Sequence, residues 1–219
     1  LDALLGVSTH SSVGLPHKQT SRSGISFLYV DVNGCLVHFF HAAFSRIAQD
    51  TGVSSDAGES AFWHFNDAVC RGDMSMDEFN QRFAAQIGVQ SLDWSRYYLD
   101  AVEPVEGMSD LLNWAAQHYR IGLLTNIMPG QIDALISRDI LPDIAYDAII
   151  ESSKIGAIKP EPTIYEQAGK QAGVAASEIL FVDDSRANLM AAERHGWRVM
   201  WFNELDPSES VEKIRTLLA

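Results

Sequence analysis

ISFLYVDVNG, residues 25–34, is a short and nearly continuous apolar run that ends in a carboxylate, Asp31, followed by the turn pair Asn33-Gly34. A run of this length without polar alternation is expected of a strand buried on both faces, as in a parallel sheet covered by helices. Four more runs of the same kind follow, RIGLLTN at 120–126, YDAIIES at 146–152, EILFVDD at 178–184 and WRVMWFN at 197–203. Helical patterns separate the last four. The chain is therefore read as α/β, with right-handed βαβ crossovers in a doubly wound parallel sheet.

Helix punctuation agrees with this frame. Pro162 suits a first helical turn and Gly173 the end of that helix; Gly196 would close a helix starting near Arg186, and Asp206-Pro207 reads as an N-cap and N1 pair. Between Val37 and about Glu103 the strand signal disappears, and Phe40, Phe44 and Ile47, then Phe62 and Val69, fall at helical spacing. Ser75 with Glu78 forms a capping box, and Gly88 closes a helix after Ile87. Three or four helices are expected over 38–103, as a cap domain inserted into a core made of 25–37 and 104–219. Residues 1–24, rich in Ser, Thr, Gly and His without periodicity, read as a mobile tail.

Composition narrows the function classes. With 29 acidic against 16 basic residues and a net charge of −13, a nucleic-acid partner is excluded, since that affinity comes largely from Lys and Arg. The two cysteines, Cys35 and Cys70, have no metal-finger or disulfide-framework spacing. No apolar run approaches the roughly 20 residues of a membrane span, and the first residues show no basic region followed by an apolar leader. A soluble cytoplasmic protein without a membrane partner is expected.

Four places carry candidate chemistry. Asp31 ends the first strand, where ligands of open α/β sheets bind; its alternative is a turn residue before a two-residue hairpin at Asn33-Gly34. Asp183-Asp184 sits at a strand-to-helix junction, where Asp is also a common N-cap. Thr125-Asn126 offers a hydroxyl and an amide at the end of another strand, as an ordinary turn would. Lys159-Pro160 places an ammonium before a helix, where a solvated lysine is the plainer reading. If the carboxylates converge, their repulsion calls for a cation, and hard oxygen ligands suit Mg²⁺.

The order Asp, Thr-Asn, Lys-Pro, Asp-Asp resembles the four motifs of the haloacid dehalogenase superfamily. The resemblance covers residues 25 to about 205 and includes YDAIIESSKIGAIKPEPTIYE and FVDDSRANLMAAERHGW. It looks most like the subgroup holding the amino-terminal phosphatase domain of epoxide hydrolases and bacterial sugar-phosphate phosphatases, whose helical cap RGDMSMDEF also resembles. The resemblance implies a Rossmann-like core with a helical cap, and hydrolysis of a small phosphomonoester, such as a sugar phosphate, through an aspartyl-phosphate on Asp31. It further implies that Mg²⁺ is held by Asp31, the carbonyl of Asn33 and Asp184, with Asp183 a ligand or an orienter of bound water. Thr125 and Asn126 would grip the phosphoryl group, while Lys159 neutralises charge and aligns Asp31.

One departure stands out. Family phosphatases usually carry a second Asp where this chain has Asn33, and an amide cannot exchange a proton at neutral pH. General acid and base assistance is typically worth about 10²–10⁴-fold. Asn33 therefore leaves three readings: an enzyme for good leaving groups, one with a substitute acid from the cap, or a catalytically weakened binding or regulatory protein. His38 and His41 are the first candidates for a stand-in acid, and Trp63, His64 and Arg71 also face the substrate in one reading of the cap. A metal-independent dehalogenase fits less well, because there the Asp183-Asp184 region is typically less acidic. Cys35 is read as a small buried thiol rather than a nucleophile.

Overall fold

All four side chains of Phe27–Val30 are buried, so this strand, β1, needs a neighbour on each side and a layer over each face. The computed structural model describes residues 23–219 and supplies both; nearly all of the stretch read as a tail lies outside the described residues. After β1 come helices α1 (His41–Thr51), α2 (Ser55–Arg71), α3 (Met76–Ile87), α4 (Trp94–Ala101) and α5 (Met108–Ala115), then strand β2 (Arg120–Thr125) and helix α6 (Gln131–Ser137). The chain continues through β3 (Ala148–Glu151), α7 (Ser152–Ile155), α8 (Pro162–Ala172), β4 (Ile179–Asp183), α9 (Arg186–Arg194), β5 (Arg198–Trp201) and α10 (Pro207–Leu218).

The five strands pair in parallel in the order β3-β2-β1-β4-β5. The chain thus fills one side of β1 before crossing to the other, and the crevice beyond β1 and β4 is the switch point where such sheets bind ligands. Register sets the chemistry there. Val30 is level with Val182, and the next residues along each strand are Asp31 and Asp183. The Asp31 N–H donates to the Val182 carbonyl at 3.0 Å, which holds the first carboxylate beside the second.

One face of the sheet buries Leu28, Val30, Leu123 and Val182 in a core that runs on into the aromatic interior of α1–α4, around Phe44, Phe62, Phe83 and Trp94. The other face buries Phe27, Tyr29, Leu124 and Phe181 beneath α8 and α9. There the Tyr29 hydroxyl donates to the Ala168 carbonyl at 2.8 Å, so the ring is buried without leaving its polar end unpaired. No described helix is long and apolar enough to cross a membrane.

Caps fall where the sequence placed them, except that the capping box is half made, the Glu78 carboxylate pairing with Arg82 instead of returning to Ser75. The Ser75 hydroxyl accepts from the Glu78 N–H at 3.2 Å, Asp206 accepts from Glu209 N–H at 3.1 Å, and Gly88 and Gly173 end their helices in the left-handed region. Two local expectations are corrected. The predicted strand 146–152 contracts to Ala148–Glu151, because Ser152 opens α7 and its hydroxyl accepts from the Ile127 N–H at 3.0 Å. Asn33-Gly34 is not a two-residue hairpin: the N–H groups of Cys35, Leu36 and Val37 all turn back to the Val32 carbonyl. The chain is then led away from β1, and Val37 bridges Pro104 in the antiparallel sense as the helical segment returns.

That helical segment also touches the sheet side elsewhere. Arg71 pairs with Glu161, and Arg138 with Asp100 at 3.1 Å. Gly72, at φ +85°, lies so close to α7 that a Cβ would stand 2.6 Å from the Ser153 carbonyl oxygen, a contact only glycine allows.

Candidate active site

Asp31, Asp183 and Asp184 each bring a carboxylate oxygen to within 4.8 Å of the other two. Asp31 is 7% exposed and Asp183 fully buried, while Asp184 is half-buried at the crevice mouth. Burial raises the Asp31 carboxyl above its usual range, against the pull of the Lys159 ammonium. Burial, and then repulsion from Asp31 and Asp183, pushes Asp184 up to about 7. A cluster that resists holding its full negative charge, built of hard oxygen donors, fits Mg²⁺. The three groups are not equivalent. Asp183 accepts from Lys159 Nζ at 2.6 Å, from the Ser185 N–H at 2.7 Å and from the Asn188 amide at 3.1 and 3.2 Å, so its lone pairs are largely committed. It does not cap α9, whose N-cap residue is Ser185 and has no side-chain cap, but accepts the N–H of that residue, whereas Asp184 faces Gly34. A Cβ at Gly34, already at φ +86°, would lie 2.6 Å from Asp184 Oδ2.

Lys159 is not a solvated lysine. It is 3% exposed, and its ammonium bridges Asp31 Oδ2 at 2.8 Å and Asp183 Oδ2 at 2.6 Å while lying 5.3 Å from the centre of the Phe181 ring. Burial opposes its charge, but the two carboxylates outweigh burial and raise its pKa above the ordinary lysine value. Asn126 differs from expectation too. Its amide donates to the Lys159 carbonyl at 2.9 Å and accepts from the Lys159 N–H at 2.7 Å, so it clamps the lysine backbone while also lining the cleft. Thr125 is fully buried beneath the cleft without lining it, and its hydroxyl has no partner.

A cleft of about 270 Å³ opens over this cluster, lined from below by Asp31, Asn33 and Asp184 and from above by side chains of the helical segment. Of the five cap residues singled out in the sequence, Trp63 lines it; His38, His41, His64 and Arg71 do not. His41 is exposed with its ring against Phe39, and Arg71 is engaged by Glu161. Asn33 meets another residue of that segment: the buried Tyr98 hydroxyl donates to Asn33 Oδ1 at 2.8 Å. Burial raises the Tyr98 pKa far above the tyrosine norm, so this hydroxyl keeps its proton. Cys35 is buried and its thiol is also raised by burial, as expected of an inert thiol.

Sequence reasoning passed over Tyr98, Asn188 and Gln131. Asn188 had a usable signal, a polar residue one helical turn beyond Asp183-Asp184 and on the side facing them. Tyr98 had none, because it reaches Asn33 only through the packing of α4, 65 residues away along the chain.

Known proteins resemble this chain in sequence and in fold. A sesquiterpene phosphatase of Aspergillus oryzae is 28% identical over 130 residues, 58% of this chain and 66% of its own length. An (S)-2-haloacid dehalogenase of a Pseudomonas species is 30% identical over 84 residues, 38% of this chain and 36% of its own. Bifunctional epoxide hydrolase 2 of Rattus norvegicus is 33% identical over 93 residues, 39% of this chain and 17% of its own. The chain spans less than two thirds of the length of these curated relatives. Among solved structures, a haloacid dehalogenase family enzyme of Bacteroides thetaiotaomicron, an aspartate-to-alanine mutant in complex with magnesium and inorganic phosphate, superposes with a TM-score of 0.72. It is 20% identical, and the match covers 83% of this chain and 95% of that one, a likeness of fold. The family model described as haloacid dehalogenase-like hydrolase matches residues 29–196, and with a match of that extent the chain belongs to the haloacid dehalogenase-like hydrolases.

Proposed function

We propose that the chain hydrolyses a small phosphorylated metabolite, a phosphomonoester, with Asp31 as nucleophile and Mg²⁺ as cofactor. The observation that carries this reading is the convergence of Asp31, Asp183 and Asp184 within 4.8 Å around one buried ammonium, Lys159. Asp31 and Asp184, with the Asn33 carbonyl, would hold the ion, and Asp183 would orient what surrounds it. Bound there, Mg²⁺ supplies positive charge to the carboxylates and to the phosphoryl oxygens.

The chain's own groups account for the remaining steps. An Asp31 oxygen attacks phosphorus, the ester P–O bond breaks, and an aspartyl-phosphate forms on Asp31. The Val32 N–H at 2.7 Å and Lys159 at 2.8 Å fix the two oxygens of that carboxylate before the attack. The Thr125 hydroxyl, without a partner beneath the cleft, would meet the transferring group, and Asn126 acts one step back by holding the Lys159 backbone in place. Water then attacks the acyl-phosphate, releasing inorganic phosphate and restoring Asp31. The departing alcohol takes its proton from solvent: Asn33 has none to give, and Tyr98 holds its own. Turnover is therefore expected to favour alcohols that leave without assistance.

Asn33 supports a second reading, a weakened binding protein that retains the phosphate site. Phosphate release from an aryl phosphate, measured with Mg²⁺ and with EDTA, separates the two. Release that needs Mg²⁺ and disappears in Asp31→Asn supports hydrolysis; no release from wild type, together with a gain in Asn33→Asp, favours the binding reading. The Asp183-Asp184 pair favours phosphate chemistry over the carbon–halogen cleavage named for one relative.

A further inference from the structure

The geometry points to a substrate whose alcohol is small, neutral and apolar, about one ring in size, and not a sugar; this deepens the phosphatase reading and rests on it. The cleft above Asp31 and Asp184 has an aromatic wall that includes Phe39, Phe40, Trp63 and Trp94, with Met128 on the opposite, sheet-side edge. Phe39 and Trp63 stack at 5.9 Å with their planes 17° apart, and Trp63 is still 43% exposed, so this pair presents apolar surface at the mouth. Apolar surface of this kind binds apolar groups by releasing water.

Several polar groups of the cleft are engaged within the protein. The Asn33 oxygen is taken by Tyr98, and the Asn126 amide by the Lys159 backbone. Asn188 donates to Asp183, and Asn66 donates to Asp67 while accepting from Cys70. Gln131 differs: it is 3% exposed, lines the cleft, and its amide nitrogen has no partner. That donor suits an ester or phosphoryl oxygen. A sugar would bring several hydroxyls into an aromatic enclosure, and each one left without a hydrogen bond weakens binding.

Charge and size point the same way. Among the described residues no lysine, arginine or histidine lines the cleft, whereas Asp67 does, so a substrate with a second anionic group would be repelled. An apolar cavity of about 150 Å³ accepts benzene. The 270 Å³ here seats the phosphoryl group and about one ring between the walls, with the mouth open beside Trp63.

The test compares esters whose alcohols leave with similar ease, so that Asn33 does not bias the result. Benzyl phosphate is set against glycerol 1-phosphate and ribose 5-phosphate, with an aryl phosphate run alongside to establish Mg²⁺-dependent turnover. The expected result is a kcat/KM at least about tenfold higher for benzyl phosphate, the scale of one or two well-buried methylenes. Trp63→Ala should lower that ratio severalfold, mainly through KM. Equal rates, or a preference for the sugar phosphate while the aryl phosphate turns over, overturn the inference and leave the phosphatase reading standing. If no ester releases phosphate, the phosphatase reading fails. Calorimetric binding with Mg²⁺ then decides the matter: benzylphosphonate binding more tightly than glycerol 1-phosphate upholds the apolar preference, and equal or reversed affinity removes it.

Discussion

Gly34→Ala tests whether the acidic cluster is a metal site, because its main effect should fall on Mg²⁺ and not on folding. The new methyl group meets two obstacles: a φ of +86°, and Asp184 Oδ2 at 2.6 Å. The backbone penalty for a non-glycine residue there is about 1–2 kcal/mol. Gly52 provides a matched control, at φ +77° with nothing within 4 Å of an added Cβ. Gly34→Ala and Gly52→Ala should therefore lose similar stability, about 2–8 °C in Tm at the roughly 2–4 °C per kcal/mol expected for a chain of this size. They should differ in their response to the ion, because the Asp184 carboxylate must leave its present position to clear the methyl. Saturating Mg²⁺ at about 100 times Kd stabilises a folded protein by about 2.7 kcal/mol. Wild type and Gly52→Ala should show that rise in differential scanning calorimetry, whereas Gly34→Ala should need at least about tenfold more Mg²⁺ to reach it, the equivalent of about 1.4 kcal/mol. An identical Mg²⁺ response in all three proteins would refute the assignment of Asp184 as a ligand.

Lys159→Met should cost about 3–5 kcal/mol in urea unfolding, since it strands Asp31 and Asp183 as buried charges without a counterion; a loss under 1 kcal/mol would contradict that electrostatic picture. Asn33→Asp restores an exchangeable proton, and should raise turnover of a poor leaving group by about 10²–10⁴-fold while changing an aryl ester much less; an equal gain on both would mean that proton delivery is not what Asn33 withholds. The raised carboxyls set the pH dependence. Because Asp184 is lifted from 3.8 to about 7 in the folded protein, its contribution to stability without metal is full below pH 3.8 and is lost as pH rises through 7. Mg²⁺ binds the ionised form, so its affinity should fall below about pH 7, with about one proton released per ion near pH 6 in paired-buffer calorimetry; zero release would show that no raised carboxyl takes part.

The strands and caps were legible because each is decided by neighbours in sequence: the buried run of Phe27–Val30, the hydroxyl of Ser75, the left-handed Gly88. Candidate site residues at strand ends were legible for a related reason, since parallel pairing brings those ends level. What could not be read was the direction in which each side chain spends its hydrogen bonds. Asn126 looked like a ligand-binding amide and proves to be fastened to the backbone of Lys159, a partner 33 residues away. Lys159 was picked out through the resemblance, while its local sequence alone was equally that of a surface lysine, because nothing local shows that two carboxylates will enclose it. The helical segment was the least legible part. Its spacing announced helices, but which of Trp63, His64 and Arg71 would turn toward the cleft depended on how α2 seats against α7 through Gly72, a contact with no trace in either local sequence.

The bridge between Val37 and Pro104 makes the helical segment a cassette: the chain departs from the sheet and rejoins it at one doorway, two backbones wide. Its contents are less free to change than that single crossing suggests, because its interior is continuous with the core under one sheet face and Gly72 and Tyr98 meet Ser153 and Asn33. A different four-helix segment grafted between these two positions should therefore keep the carboxylates in place only where it supplies the same apolar face to the sheet and the same hydroxyl to Asn33.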